Sequence, residues 1–264
     1  MAAPSCPVPH RRARRPRAAA VVVVVVGLVT ALVVAACSGG DDLELAADTT
    51  APTSAPAAST PTTVDPTLTT VATTPESTYD VFASPEATAP SHQVTAPEGP
   101  GVPLAFVVLD EQDGRLLVEL PERPNGSTGW VDKAGLTLQT HGFRITVTLD
   151  EYNIKVFQGD VVILDAPVGV AAENTPSPGG RYYTTSLLQP PDPDSVYGTY
   201  AYGLSAFSDV HETFAGGPGQ LGIHGTNDDS TIGTRVSNGC IRMHNADIEQ
   251  LVPVLPVGVP VTIV

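Results

Sequence analysis

Cysteine is nearly missing from this 264-residue chain: there are three, and Cys240 stands alone in the last two hundred residues. A disulfide framework is thereby excluded. Aromatic residues make up only 5%, with a single tryptophan, and methionine occurs twice. Basic side chains are scarce too, 13 Lys plus Arg against 28 Asp plus Glu, for a formal charge of −15. Five of those 13 sit between Arg11 and Arg17, so the chain beyond residue 36 keeps 8 of them against all 28 acids, a formal charge of −20. That balance argues against nucleic acid and against an anionic lipid surface as binding partners. Amphipathic helical patterns are also rare, whereas 24 Gly and 26 Pro punctuate the chain. The expected class is mainly β.

The arginine cluster opens the chain, and the apolar run "AAAVVVVVVGLVTALVVAAC" follows, ending at Cys37. A basic start, an apolar stretch and small residues before the break make a secretion signal. The segment "VVAACSGG" resembles the bacterial lipobox, which implies cleavage after residue 36 and a diacylglyceryl thioether on Cys37. The competing reading is an uncleaved anchor, since the run is just long enough to span a bilayer. Both place the remainder outside the cytoplasm, on the outer face of the membrane. Residues 37–100 then read as a lipidated cysteine and a disordered Thr/Pro/Ala/Ser-rich tether. Their few large apolar side chains cannot offset the entropy of ordering them.

From residue 101 onward the pattern is short β runs separated by turn residues. "LAFVVLD" and "GRLLVELP", joined by "EQDG", read as a hairpin. With "TGWVDKAGLTL" they make a small β module over 101–138, either independent or a pair of hairpins packed on the next domain. Over 139–264, "FRITVTL" and "EYNIKVF" alternate as half-buried strands. "FQGDV" reads as a tight turn into "VVILDAPVGV", continuous enough for a core strand. "GGRYYTTSLL" and the terminal "GVPVTIV" add strands. A short helix is expected at "NADIEQLVPVL", capped by Asn245 and limited by Pro253.

Exported domains normally pair their cysteines, so a lone exported thiol is reactive, used between chains, or an inert buried group. His224, in "GQLGIHGTNDDSTIG", lies sixteen residues before Cys240, in "SNGCIRMHNADIEQL". A histidine that takes the thiol proton generates the nucleophilic thiolate. Gly225 and Gly239 leave the backbone free of Cβ beside both groups. Amides around Gly239 and Cys240 suit an oxyanion. Arg242, two residues past the cysteine on a strand, shares its face and offers a planar fork for a carboxylate. His211 and His244 do not complete a metal-ligand spacing with this pair, so no metal is expected. Asp228 and Asp229 read as turn formers able to raise the pKa of His224 if they approach it. "YGTYAYGLSAF" reads as a strand with core-filling rings or as a cleft wall, and the proline-rich "LLQPPDPDSV" as a candidate lid.

Taken together, "IHGT", "SNGCIRM" and "HNADIEQL" resemble the signature of L,D-transpeptidases with a YkuD-type catalytic domain. "VGVAAENTPSPGGRYYTT" is similar to that family's strand and Thr-Pro-x-Pro turn, and "FRITVTLDEYNIKVFQGDVVILDAPVGV" to its opening hairpin. The likeness covers 143–264 and implies a β-sandwich or barrel-like domain with a short helix after the cysteine. It implies Cys240 as nucleophile, His224 as general base, the Gly225 carbonyl orienting the imidazole, and Gly239 in the oxyanion hole. It places Arg242, Ser237, Asn238 and Thr226 on the substrate side. Many members carry a second histidine where this chain has Asn238, so a two-histidine mechanism is not expected.

The resemblance further implies that peptidoglycan tetrapeptide stems are the partners, with a Cys thioester, loss of D-alanine and 3→3 crosslinks, without cofactor. It also implies acylation by carbapenems. An L,D-carboxypeptidase that hands the acyl group to water, and a non-catalytic wall-binding lipoprotein, remain alternatives. "DGRLLVELPERPNGSTGWV" resembles a small Src-homology-three-like barrel.

Overall fold

The computed structural model of the protein describes residues 67–214 and 216–264. The expected signal peptide, the lipidation site Cys37 and the first part of the tether lie outside the described residues. The chain runs through β1 (Thr69–Thr74), β2 (Thr78–Val81), β3 (His92–Thr95), β4 (Leu104–Gln112), β5 (Arg115–Glu119), β6 (Thr128–Asp132) and β7 (Thr137–His141). There follow β8 (Phe143–Thr148), β9 (Asn153–Gln158), β10 (Val161–Pro167), β11 (Val170–Ala171), β12 (Gly180–Leu188) and β13 (Ala201–Phe207). The chain ends with β14 (Gln220–His224), β15 (Arg235–Ser237), β16 (Ile241–Arg242), the helix α1 (Asn245–Leu251) and β17 (Pro260–Ile263).

The first seven strands form the N-terminal module, a five-stranded sheet in the order β6-β5-β4-β1-β7 with the β2-β3 hairpin beside it. Asp113 and Gly114, both at positive φ, make the tight turn between β4 and β5 that "EQDG" foretold. The expected tether, however, does not extend to residue 100. β1 lies inside the sheet, between β4 and β7, and Val71 and Ala72 on it are buried. Val81, Val94 and Ala96 join Phe106, Leu116, Val118 and Val131 in a separate core. The threonines that suggested disorder suit a pleated surface, and a handful of small apolar residues at the right register is enough to seat them. The module therefore reaches from β1 to β7 rather than covering 101–138.

The later strands form a curled eight-stranded sheet in the order β10-β9-β8-β17-β12-β13-β14-β16. Alternation puts Ile145, Val147, Ile154, Val156, Val261 and Ile263 on one face, over a core completed by Leu204, Ile223, Met243, Ile248 and Leu251. Each such side chain contributes about 1.5–3 kcal/mol by burial. The C-terminal strand β17 pairs in parallel with β8, which draws the end of the domain back to its start. One expectation fails here: β10 is an edge strand, not a core strand. Val161, Val162 and Ile163 are exposed, because β9 covers only one side of it. The helix also differs in detail. His244 is its N-cap and Asn245 its first residue, with a side chain committed elsewhere.

The module packs against the eight-stranded sheet rather than hanging from it. The buried Tyr183 on β12 donates its hydroxyl to the Glu119 carbonyl at 3.1 Å. Asn125 and Phe207 exchange two hydrogen bonds of 2.8 Å, and Arg123 donates to the carbonyls of Ser208, His211 and Pro218.

Candidate active site

β14 and β16 are parallel neighbours, pairing Ile223 with Ile241 and His224 with Arg242. Cys240, immediately before β16, therefore lies level with Gly222. His224 and Cys240 line one cavity of about 410 Å³, with Tyr197, Tyr202, Phe214 and Leu221 among its walls. The return of the chain across sixteen residues brings the two groups to a common space.

His224 is buried, 4% exposed. Its Nδ1 lies 2.6 Å from the Gly225 carbonyl. A carbonyl can only accept, so Nδ1 carries the proton and Nε2 is left as the basic nitrogen. Tyr197 packs edge-on against the ring, with centroids 5.1 Å apart. Burial, foremost, together with the charge of Arg242 lowers the pKa of His224 to about 4, against the opposing Gly225 bond. Asp228 and Asp229 play no part in this shift, and the rise considered for them does not occur. Asp228 accepts from Ser230 N and Oγ, while Asp229 pairs with His244 at 2.8 Å.

Cys240 is a free thiol whose pKa burial pushes up, while a Gly222 backbone hydrogen bond and Arg242 pull it down. The resting pair is thus a neutral thiol and a neutral imidazole. Arg242 favours thiolate over imidazolium at both groups. Its Nε is buried without a partner, yet the residue is not among those lining the cavity. Its charge acts on both members of the pair.

The turn that presents the thiol is clamped by hydroxyls. Ser237 Oγ donates to the Cys240 carbonyl at 2.6 Å and accepts from the Gly239 amide at 3.2 Å. Ser177 donates to the Gly239 carbonyl at 2.7 Å and Thr175 to the Ser237 carbonyl at 3.0 Å. Gly239 has φ +121°, and a Cβ there would lie 2.5 Å from Leu221. Only glycine fits this turn without displacement.

Residues 142–263 match the family model described as YkuD, the L,D-transpeptidase catalytic domain. This segment belongs to that family. The YkuD protein of Bacillus licheniformis is 33% identical over 121 residues, and that of Bacillus subtilis 31% over 121 residues. In both cases the match covers 46% of this chain and 65% of the relative, so the chain spans less than two thirds of their length. An L,D-transpeptidase from Mycobacterium tuberculosis H37Rv superposes with a TM-score of 0.40 at 14% identity, covering 61% of this chain and 90% of that one.

Within this L,D-transpeptidase domain, two residues expected on the substrate side are otherwise occupied. Ser237 and Thr226 are each 2% exposed. The Ser237 hydroxyl holds the cysteine turn. The Thr226 hydroxyl donates to the Asp228 carbonyl and accepts from the Asp228 amide. Asn238 is exposed at the turn.

Three sets of contributors escaped the sequence reading. Thr175 and Ser177 belong to the quoted Thr-Pro-x-Pro turn, whose likeness was recognised but not its grip on Gly239. Asn245 Oδ1 accepts from the amides of Thr226 and Thr199 at 3.1 and 3.3 Å, bracing the loop behind His224. A Cβ on Gly225 would collide with that same oxygen. Pro97 and Glu98 of the module form part of the cavity wall. No local pattern around "APEGPG" announces that. Tyr197 and the buried Tyr202 line the cavity while Phe207 is buried away from it, so the aromatic segment serves both cleft and core. Among the described residues no group of three or more His, Cys, Asp or Glu is disposed to hold a metal.

Proposed function

We propose that this protein is a cysteine L,D-transpeptidase that works outside the cytoplasm, held to the membrane through lipidated Cys37 and acting on peptidoglycan stem peptides. The observation that carries the reading is the meeting of Cys240 and His224 in one cavity of a domain belonging to this family.

His224 Nε2 takes the thiol proton as Sγ attacks the carbonyl of the diaminopimelyl residue in a tetrapeptide stem. Because both groups rest neutral, proton transfer accompanies attack, and the Arg242 charge lowers the cost of the thiolate that develops. The developing oxyanion turns to the Cys240 amide and to that of Gly239. The latter's bond to Ser237 Oγ, at 3.2 Å, is long enough for a charged oxygen to displace. The carbon–nitrogen bond to D-alanine breaks, and the leaving amine takes its proton from the imidazolium. An amine of a second stem then attacks the thioester, passes its proton to His224 and releases the thiol, leaving a 3→3 amide.

Mass analysis of full-length protein incubated with purified tetrapeptide stems tests this. The expected product is a crosslinked dimer with one D-alanine released per bond. Tripeptide alone would assign the acceptor as water, and unchanged stems would overturn the substrate class.

A further inference from the structure

Glu98 stands on the loop between β3 and β4, within the N-terminal module, yet it lines the cavity that holds Cys240 and His224. One oxygen of its carboxylate is fully engaged. Oε1 accepts from Thr185 Oγ1 at 2.6 Å, from Ser186 Oγ at 2.5 Å and from Gln220 Nε2 at 2.9 Å. Gln220 is itself fixed, since its Nε2 also donates to the Leu204 carbonyl at 3.0 Å. Gly203 of β13 makes room for the group, because a Cβ there would collide with Oε1. Oε2 has no protein partner among the described residues.

The carboxylate is thus held by one oxygen while the other is free. Of the residues lining this cavity, Glu98 is the only carboxylate, and none is a lysine or arginine. A half-buried charge with three donors on one oxygen and no countercharge in its own cavity is matched to a cationic ligand group. A latch between module and sheet would need only the engaged oxygen.

We infer that Glu98 Oε2 is a binding point for a protonated amine of the peptide substrate, so that the N-terminal module supplies part of the specificity of the catalytic cavity. The inference rests on the stem-peptide reading above and names the substrate group that this wall selects.

The test is binding, without turnover, to full-length Cys240→Ala protein. The two probes are a tetrapeptide stem with a free side-chain amine and the same stem N-acetylated there. The free amine is expected to bind about tenfold tighter or more, as suits a hydrogen bond between charged partners. Adding Glu98→Gln, which keeps the acceptor for Thr185 and Ser186, should bring the two affinities within about twofold. Equal binding of both stems by the Glu98 protein overturns the assignment alone. A preference that survives Glu98→Gln also overturns it. Binding of neither stem overturns it together with the substrate class. The comparison of the two stems needs no Glu98 variant, so a folding defect in Glu98→Gln does not shelter the inference.

Discussion

The cavity wall that bears Cys240 and the wall that bears Glu98 are built in opposite ways. The first is largely local: Ser237, Gly239, Cys240 and Arg242 fall within six residues, with His224 opposite on the adjacent strand. The second is long-range: Glu98 meets partners 87, 88 and 122 residues away. Chemistry set by a turn and a strand pair is written in contiguous sequence. A wall set by packing one module on another is not. The polarity differs as well, since Arg242 favours negative charge at the thiol, whereas Glu98 favours positive charge across the cavity.

Replacing the reacting groups should break the first wall outright. Cys240→Ala and His224→Ala are each expected to lower acyl transfer by a thousandfold or more with the circular dichroism spectrum retained, since each takes a role no neighbour can assume. Residual transfer within tenfold of the parent in either variant would remove that residue from the mechanism.

A smaller loss is expected from the turn itself. Gly239→Ala places a Cβ against Leu221 at a backbone angle that L residues avoid. A destabilisation of about 1–3 kcal/mol, read from urea unfolding, should accompany weakened acylation.

The buried imidazole couples the same wall to pH. Its folded pKa, about 4, lies below the unfolded value of 6.5, so the fold prefers the neutral ring. This contribution is complete above pH 6.5 and is lost as pH falls from there toward about 4. It amounts to about 3 kcal/mol. Parallel unfolding curves of the parent and His224→Gln should therefore converge on acidification through that window. A constant gap would contradict the burial account.

The finest distinction concerns Arg242. If its part is the field at Cys240, Arg242→Gln should raise the pH midpoint of thiol alkylation by iodoacetamide, while Arg242→Lys, which keeps the charge, should move it less. Equal shifts would point to geometry in place of charge.

Much of the catalytic domain was legible because its strands alternate cleanly and its turns carry glycine. "FRITVTL" and "EYNIKVF" fall on β8 and β9, and "GVPVTIV" on β17. The stretch from β1 to β3 was misread for a physical reason. Its Thr, Pro and Ala content lacks large apolar side chains, yet Val71, Ala72, Val81 and Val94 need only fill gaps in a core whose bulk comes from β4 and β5. The exposed β10 was misread because an apolar run alone does not say whether a strand has one neighbour or two. At the site, residue types pointed to Cys240 and His224, but types cannot tell which hydroxyls face a cavity. Ser237 and Thr226 hold backbone, and the wall residue that does face the cavity, Glu98, had no motif to mark it.

The central claim is that Cys240 is a nucleophile activated by His224. Intact mass of the full-length protein after incubation with a carbapenem, beside Cys240→Ala and His224→Ala, tests it most directly. The account predicts one added drug mass on the parent, none on Cys240→Ala and greatly slowed addition on His224→Ala. An adduct on Cys240→Ala, or none on a parent whose Cys240 titrates as a free thiol, would contradict it.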